Sequence, residues 1–138
     1  MKLLIDTNII MDVLTKREPH FESSSVFLKT CGKKIKAYII ASQTTDIFYL
    51  LRRAGLDSKA AKDAVLKIVD DLEVLSITSI DVQNALNSDM SDYEDALLAY
   101  CAKRIKASFI ITRNDRDFIL SPVAAISPST FLLKHTHT

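Results

Sequence analysis

Glycine and proline are scarce in this chain, two and three in 138 residues, and no low-complexity tract or internal repeat occurs. No linker or disordered arm is therefore expected, and the length suits one domain spanning residues 1–138. The glycines form no GxGxxG, GxxxxGKS/T or GxSxG pattern, which removes dinucleotide, P-loop nucleotide and serine-hydrolase sites of the usual kind. Cysteine is limited to Cys31 and Cys101, far apart and with no CxxC or histidine partner spacing. They read as reduced, buried thiols rather than zinc ligands. Of the three histidines, His20 precedes a helical pattern while His135 and His137 stand at the chain end, and none reads as catalytic. No stretch approaches the ~18 apolar residues of a membrane span. The first residues hold one lysine and a three-residue apolar run, too short for a secretory signal. A soluble protein of the cytoplasm is the expectation.

Apolar residues make up 48% and charged residues 25%, enough for a proper core under an ordinary surface. The net charge of +1 says little, but its distribution is uneven. Basic residues come in knots at Lys33, Lys34 and Lys36, at Arg52 and Arg53, at Lys103, Arg104 and Lys106, and at Arg113 and Arg116. Acids concentrate at Asp6, Asp12, Asp46, Asp92, Glu94, Asp95, Asp115 and Asp117. A basic rim around an acidic centre would suit a phosphodiester held at a metal site, whereas a mixed solvated surface is the plainer account.

Short apolar runs at 3–5, 37–40, 74–77, 109–112 and 123–126 alternate with helical patterns at 8–15, 20–31, 42–54, 58–71, 79–90, 93–106 and 128–134. Gly32 and Gly55 fall where helix C′ residues stand. Thr78 with Asp81, and Ser91 with Glu94, have N-cap spacing, and Ser127-Pro128 reads as a cap followed by proline at N1. Such alternation predicts an α/β fold, a three-layer α/β/α sandwich around a parallel sheet of about five strands.

Ligands of open parallel sheets bind beyond the carboxyl ends of the strands. Asp6 follows the first strand directly, the 113–117 segment follows the fourth, Asp46 lies one turn into the helix after the second, and Asp95 opens the helix before the fourth. Asp95 shares a face with Leu98, Ala99 and Ala102, and a carboxylate among apolar groups calls for pairing, hydrogen bonds or a metal. Taken singly, each acid is explained as a solvated residue or, for Asp6 and Asp92, a helix cap. Four converging segments are different, because like charges repel unless a cation sits among them. Oxygen ligands without histidine or cysteine point to Mg²⁺ or Mn²⁺.

Leu4-Ile-Asp6-Thr7-Asn8 with Asp12, Ser42 to Asp46 and on to Arg53, Asp92-Tyr-Glu-Asp95, and Ile111-Thr112-Arg113-Asn114 through Asp117-Phe118 to Phe131 resemble, in order, the motifs of PIN domains. The resemblance spans nearly the whole chain. It implies an α/β/α sandwich and an endoribonuclease that cleaves single-stranded RNA with Mg²⁺ or Mn²⁺. It also implies a toxin similar to VapC, neutralised by an antitoxin protein and often a homodimer. Carried over by position, Asp6, Asp46 and Asp95 are acidic metal ligands, Thr112 a hydroxyl near the site, Asn8 its polar neighbour and Asp92 a supporting acid. Arg53, Arg113 and Arg116 become candidates for phosphate contacts.

Two positions depart from the pattern. Asp46 stands where many relatives carry Glu, and Asn114 stands where the fourth acid is common. The missing charge falls to Asp115, to Asp117, or to no residue. Asp117 returns to the side of Asn114 if the segment turns helically, with Phe118 as its anchor, whereas Asp115 would point away, so Asp117 is the expected fourth metal ligand and Asp115 a cap or solvated residue. Two other readings stay open: a binding module of the same fold with impaired catalysis, and a metal-dependent phosphatase, whose DxD opening is missing because Thr7-Asn8 follow Asp6. Val13, Leu14, Phe21, Val26, Phe27 and Leu28 offer an apolar face for the core or for a partner.

Overall fold

The computed structural model describes residues 1–135; His137 and its neighbours at 136 and 138 lie outside the described residues. Five strands, β1 (Lys2–Ile5), β2 (Lys36–Ile40), β3 (Glu73–Leu75), β4 (Phe109–Ile111) and β5 (Ala125–Ile126), form one sheet in the order β3-β2-β1-β4-β5. Every pairing is parallel. This is the expected α/β sandwich. The chain moves outward from β1 through β2 to β3, then crosses back to place β4 on the other flank of β1. The β1–β4 seam is therefore the switch point of the sheet, where open α/β sheets offer a crevice.

Side chains alternate across the strands because their period is two. Leu3, Ile5, Ala37, Ile39 and Ile111 face one buried cluster, which they share with Ile9, Ile10, Phe27, Ile47, Leu51, Ala61, Ile68 and Phe131. These come from α1 (Thr7–Leu14), α2 (Phe21–Thr30), α3 (Ala41–Arg53), α4 (Ser58–Asp71) and α7 (Pro128–His135). Leu4, Ile40 and Ile110 face the opposite cluster, built from α5 (Ser79–Leu86), α6 (Tyr93–Arg104) and Phe118. Continuous apolar strands are what two covered faces require. Phe27 and Phe131 meet edge-to-face at 5.5 Å and lock α2 against α7.

The helix boundaries follow their caps, with three differences from the sequence expectations. Gly55 sits beyond α3 at φ +105°, the left-handed C′ position, but Gly32 does not adopt it: its N–H instead donates to the Ile35 carbonyl in a local turn. Helix α5 stops at Leu86, where the Asn87 side chain donates back to the Gln83 carbonyl, so 87–91 is loop. The third concerns α6. Ser91 is not its cap; Asp92 is, its carboxylate accepting from the Asp95 N–H at 3.0 Å. The other caps stand as read: Thr78 and Asp81 bond reciprocally, and Ser127 accepts from the Thr130 N–H.

Of the apolar set on α1 and α2, Phe27 is fully buried and Leu14 and Leu28 pack against the same cluster. Val26 remains exposed and Phe21 partly so. Both cysteines are free; burial pushes the Cys31 thiol up to about 11 and Cys101 to about 12, so both stay protonated. No helix of the described residues is long and apolar enough to cross a membrane.

A buried ion pair ties the two halves of the sheet. Asp12, with no exposed surface, accepts from Arg113 Nε at 2.7 Å and Nη2 at 3.1 Å, and from the Ser24 hydroxyl at 3.1 Å. Removing Arg113 would leave the buried Asp12 charge with the Ser24 hydroxyl and the more distant, half-exposed Arg17 at 3.9 Å. Arg113→Ala is expected to lower stability by about 3–5 kcal/mol in urea unfolding. A loss below the level of an exposed pair would show that Asp12 is satisfied without Arg113.

Candidate active site at the carboxyl edge of the sheet

The seam between β1 and β4 fixes the first acid. Asp6 N–H donates to the Ile111 carbonyl, continuing the strand pairing by one residue before α1 begins. Asp6 then caps α1, Oδ1 accepting from the Thr7 N–H at 2.7 Å. Its Oδ2 accepts from the Thr112 hydroxyl at 2.7 Å. Asn8 Nδ2 lies 3.3 Å from Thr112 Oγ1 and 3.4 Å from Asp6 Oδ2, and Asn8 Oδ1 accepts from the Arg113 N–H. Thr112 also accepts from the Asn114 N–H, so it fixes both the carboxylate and the start of the next turn. Asp6 is thereby held in one rotamer, with one oxygen on each of two elements.

Helix α3 presents Asp46 by a device the motif reading passed over. Buried Gln43 accepts from the Ile40 N–H at 2.7 Å and donates to the Ile5 carbonyl and Thr7 hydroxyl. It stitches the ends of β1 and β2 together and sets the rotation of α3. Asp46, Tyr49, Leu50 and Arg53, at helical spacing from Gln43, then face the same cavity. A glutamine at N3 of a helix leaving a strand was the available signal.

Helix α6 runs back toward the start of β4, so its first turn stands over the carboxyl edge. Because Asp92 rather than Ser91 is the cap, Glu94 is free of a capping role. It lines the cavity with Asp95, Tyr93, Leu97 and Leu98. Glu94 is the acid that sequence reasoning discounted. Asp46 lies close enough that its charge, ahead of burial and Asp92, raises the Glu94 pKa.

After Thr112 the chain makes a single 3₁₀ turn, Asp115–Phe118, anchored by buried Phe118. Asn114 lines the cavity; Asp115 and Asp117 are exposed and do not. The two differ in reach. Asp117 raises the pKa of both Asp6 and Asp95, and Asp115 contributes to neither.

Asp6, Asp46, Glu94 and Asp95 thus share one cavity of about 730 Å³ with Asn8, Gln43, Arg53 and Asn114. Burial, then Asp92, Asp6, Asp117 and Glu94, push Asp95 up to about 7. Burial raises Asp46, and raises Asp6 against the hydrogen bonds of Thr112 and Thr7. Carboxylates gathered in one cavity repel one another unless a cation or a proton sits among them. Among the described residues no three metal-ligating side chains are close enough to form a ready-made cage. Mg²⁺ does not need one, since it commonly keeps several waters and uses one or two carboxylates. No histidine or cysteine lines the cavity, so the donor set is hard oxygen and fits Mg²⁺ or Mn²⁺.

The basic residues are arranged differently from the expected rim. Lys33 and Lys34 precede β2 and Lys36 opens it, and Lys103 and Lys106 precede β4, so parallel strands carry both knots to the amino edge, away from the acids. Arg104 is paired with Asp81 and Arg113 with Asp12. Arg116 is exposed outside the cavity, and Arg53 is the arginine that lines it.

The profile of the PIN domain matches residues 2–116. The chain belongs to the PIN-domain family. Solved structures agree on the fold. VapBC-1 from nontypeable Haemophilus influenzae is 14% identical, with a TM-score of 0.71 over 94% of this chain and 99% of that one. VapBC2 from Rickettsia felis, bound to a DNA fragment from its promoter, is 12% identical, with a TM-score of 0.70 over 92% and 98%. VapC20 from Mycobacterium tuberculosis, a sarcin-ricin loop cleaving toxin, is 12% identical, with a TM-score of 0.65 over 78% and 86%. No curated protein sequence matches the chain.

The raised Asp95 pKa has a signed consequence. Its folded value, about 7, lies above the ordinary 3.8, so the folded state holds this proton more tightly than the unfolded chain. That stabilisation is complete below pH 3.8 and is lost as pH rises through about 7. In chelator, Asp95→Asn is expected to flatten the fall in melting temperature across this window. Parallel wild-type and variant profiles would contradict the assignment.

Proposed function

We propose that this PIN domain is an endoribonuclease that cleaves single-stranded RNA with Mg²⁺ or Mn²⁺, acting in the cytoplasm as the toxin of a toxin–antitoxin pair. One observation carries the reading: Asp6, Asp46 and Asp95, from three elements, line one cavity without a nitrogen or sulfur ligand. Asp6 and Asp95 serve as the principal metal ligands, Asp46 as the third, and Asp117 supplies outer negative charge where Asn114 offers only a neutral oxygen. When bound, the cation supplies positive charge at the scissile phosphate and a water of lowered pKa. The chain's own residues do the positioning. Thr112 and Asn8 hold the Asp6 carboxylate, Gln43 sets α3, and Arg53 receives a flanking phosphate. Arg116 contributes longer-range attraction to the strand. The toxin assignment draws on the solved VapBC relatives and on VapC20. An antitoxin protein is the expected partner, and a second copy could use the residual apolar surface at Phe21 and Val26.

Asn114 at the cavity favours one alternative, an RNA- or protein-binding module with impaired catalysis. Purified protein should cleave single-stranded RNA with Mn²⁺ and stop in EDTA, with Asp6→Asn and Asp95→Asn inactive but folded. Their loss should exceed a hundredfold, in the range of removing a principal electrostatic contributor. Manganese that raises the melting temperature without supporting cleavage would favour the binding module instead. For the fourth acid, Asp117→Asn should reduce cleavage at limiting Mn²⁺ more than Asp115→Asn. The reverse order would show that the 3₁₀ turn is used differently.

A further inference from the structure

The chain carries four tyrosines and six phenylalanines. Their distribution is not that of a protein with scattered surface rings. Tyr38 and Tyr100 pack against the α5–α6 cluster, and all six phenylalanines are buried or partly so. Among the described residues just two of these rings are exposed, Tyr49 at 65% and Tyr93 at 42%. Both line the acidic cavity.

Each ring sits beside an acid. Tyr49 is three residues after Asp46 and four before Arg53, so α3 offers acid, ring and guanidinium along one face. Tyr93 opens α6 immediately before Glu94 and Asp95. Tyr49 is braced by Phe48, whose ring meets it edge-to-face at 5.2 Å, so its exposed face is presented with little freedom left to lose. A tyrosine face left in water forgoes a large burial gain. A flat apolar face beside carboxylates has one natural ligand in a phosphodiester substrate: the base next to the scissile phosphate.

We infer that Tyr49 and Tyr93 are base-stacking platforms that select unpaired nucleotides on either side of the cleavage site, with Arg53 on the phosphate beyond Tyr49. The inference rests on the nuclease reading for its substrate class. It adds a reason for single-strand preference, because paired bases already stack on each other and cannot offer a free face to a protein ring. Stacking is tolerant of base identity, so the platforms set strandedness more than sequence.

Binding tests this apart from catalysis. In an Asp6→Asn background, which silences cleavage and lowers repulsion of the RNA, fluorescence anisotropy would measure a short single-stranded RNA at fixed salt. Tyr49→Ala and Tyr93→Ala should each weaken binding about 5- to 150-fold, the equivalent of about 1–3 kcal/mol per stacked base. Tyr→Phe at either position should remain within about twofold, since the ring and not the hydroxyl is used. An RNA made abasic at the two positions flanking the cleavage site should bind the Asp6→Asn protein as weakly as the intact strand binds the variant carrying both Tyr49→Ala and Tyr93→Ala. Alanine variants that bind normally overturn the inference, as do phenylalanine variants that fail like alanine. Wild-type cleavage with alanine-insensitive binding removes the platforms and leaves the nuclease standing. No RNA binding and no cleavage by wild type removes both.

Discussion

The seam between β1 and β4 is the constraint on which the rest depends. Two strands more than a hundred residues apart pair in parallel, and the pairing runs one residue past β1 to the Asp6 amide. That last bond puts the Asp6 carboxylate against the Thr112 hydroxyl and brings Arg113 within reach of Asp12. The fold therefore closes over the site and through it. The buried carboxylate on α1 is satisfied chiefly by the Arg113 guanidinium that the chain delivers just after β4, with the Ser24 hydroxyl and, at 3.9 Å, Arg17 beside it.

Around that seam the architecture concentrates negative charge. A helix leaving a parallel strand starts at the carboxyl edge, and a helix entering one must start there too. Helices α1, α3 and α6 consequently begin beside one another, and each contributes an acid in or near its first turn. Their amino ends offset part of the charge. The remainder shows at Glu94, whose pKa the Asp46 charge raises first, and it adds to burial in raising Asp95 and Asp6, whereas Asp46 is raised by burial. Such an arrangement costs stability unless a cation or a bound proton relieves it, which is the usual condition of a site arranged for function.

A shift of one residue in a cap changes how the cavity is read. With Ser91 as the cap of α6, Glu94 would complete a capping box and Asp95 alone would face the sheet edge. With Asp92 as the cap, the Asp95 amide is satisfied by Asp92 and both following acids are free. Both residues are good caps on intrinsic preference. The choice between them falls to the packing of Ala96, Leu97 and Ala99, which fixes the phase of the helix on the sheet.

The α/β class, the five strands, most helix ends and the three acids at the carboxyl edge were legible in the sequence, because they rest on local periodicity, capping chemistry and chain order. Alternation of short apolar runs with helical patterns leaves little choice but a covered parallel sheet. What the sequence could not rank was which polar residues work on each other. Gln43 looks like any helix-surface glutamine until Ile5 and Ile40 lie side by side. Arg113 looks free to meet a phosphate until α1 presents buried Asp12. The lysine knots look like a rim until parallel strand direction carries them to the opposite edge. Local interactions act between neighbours in the chain and so can be read from it. Charge pairing, side-chain orientation and cavity lining act through space between residues far apart in sequence, and these only the tertiary structure decided.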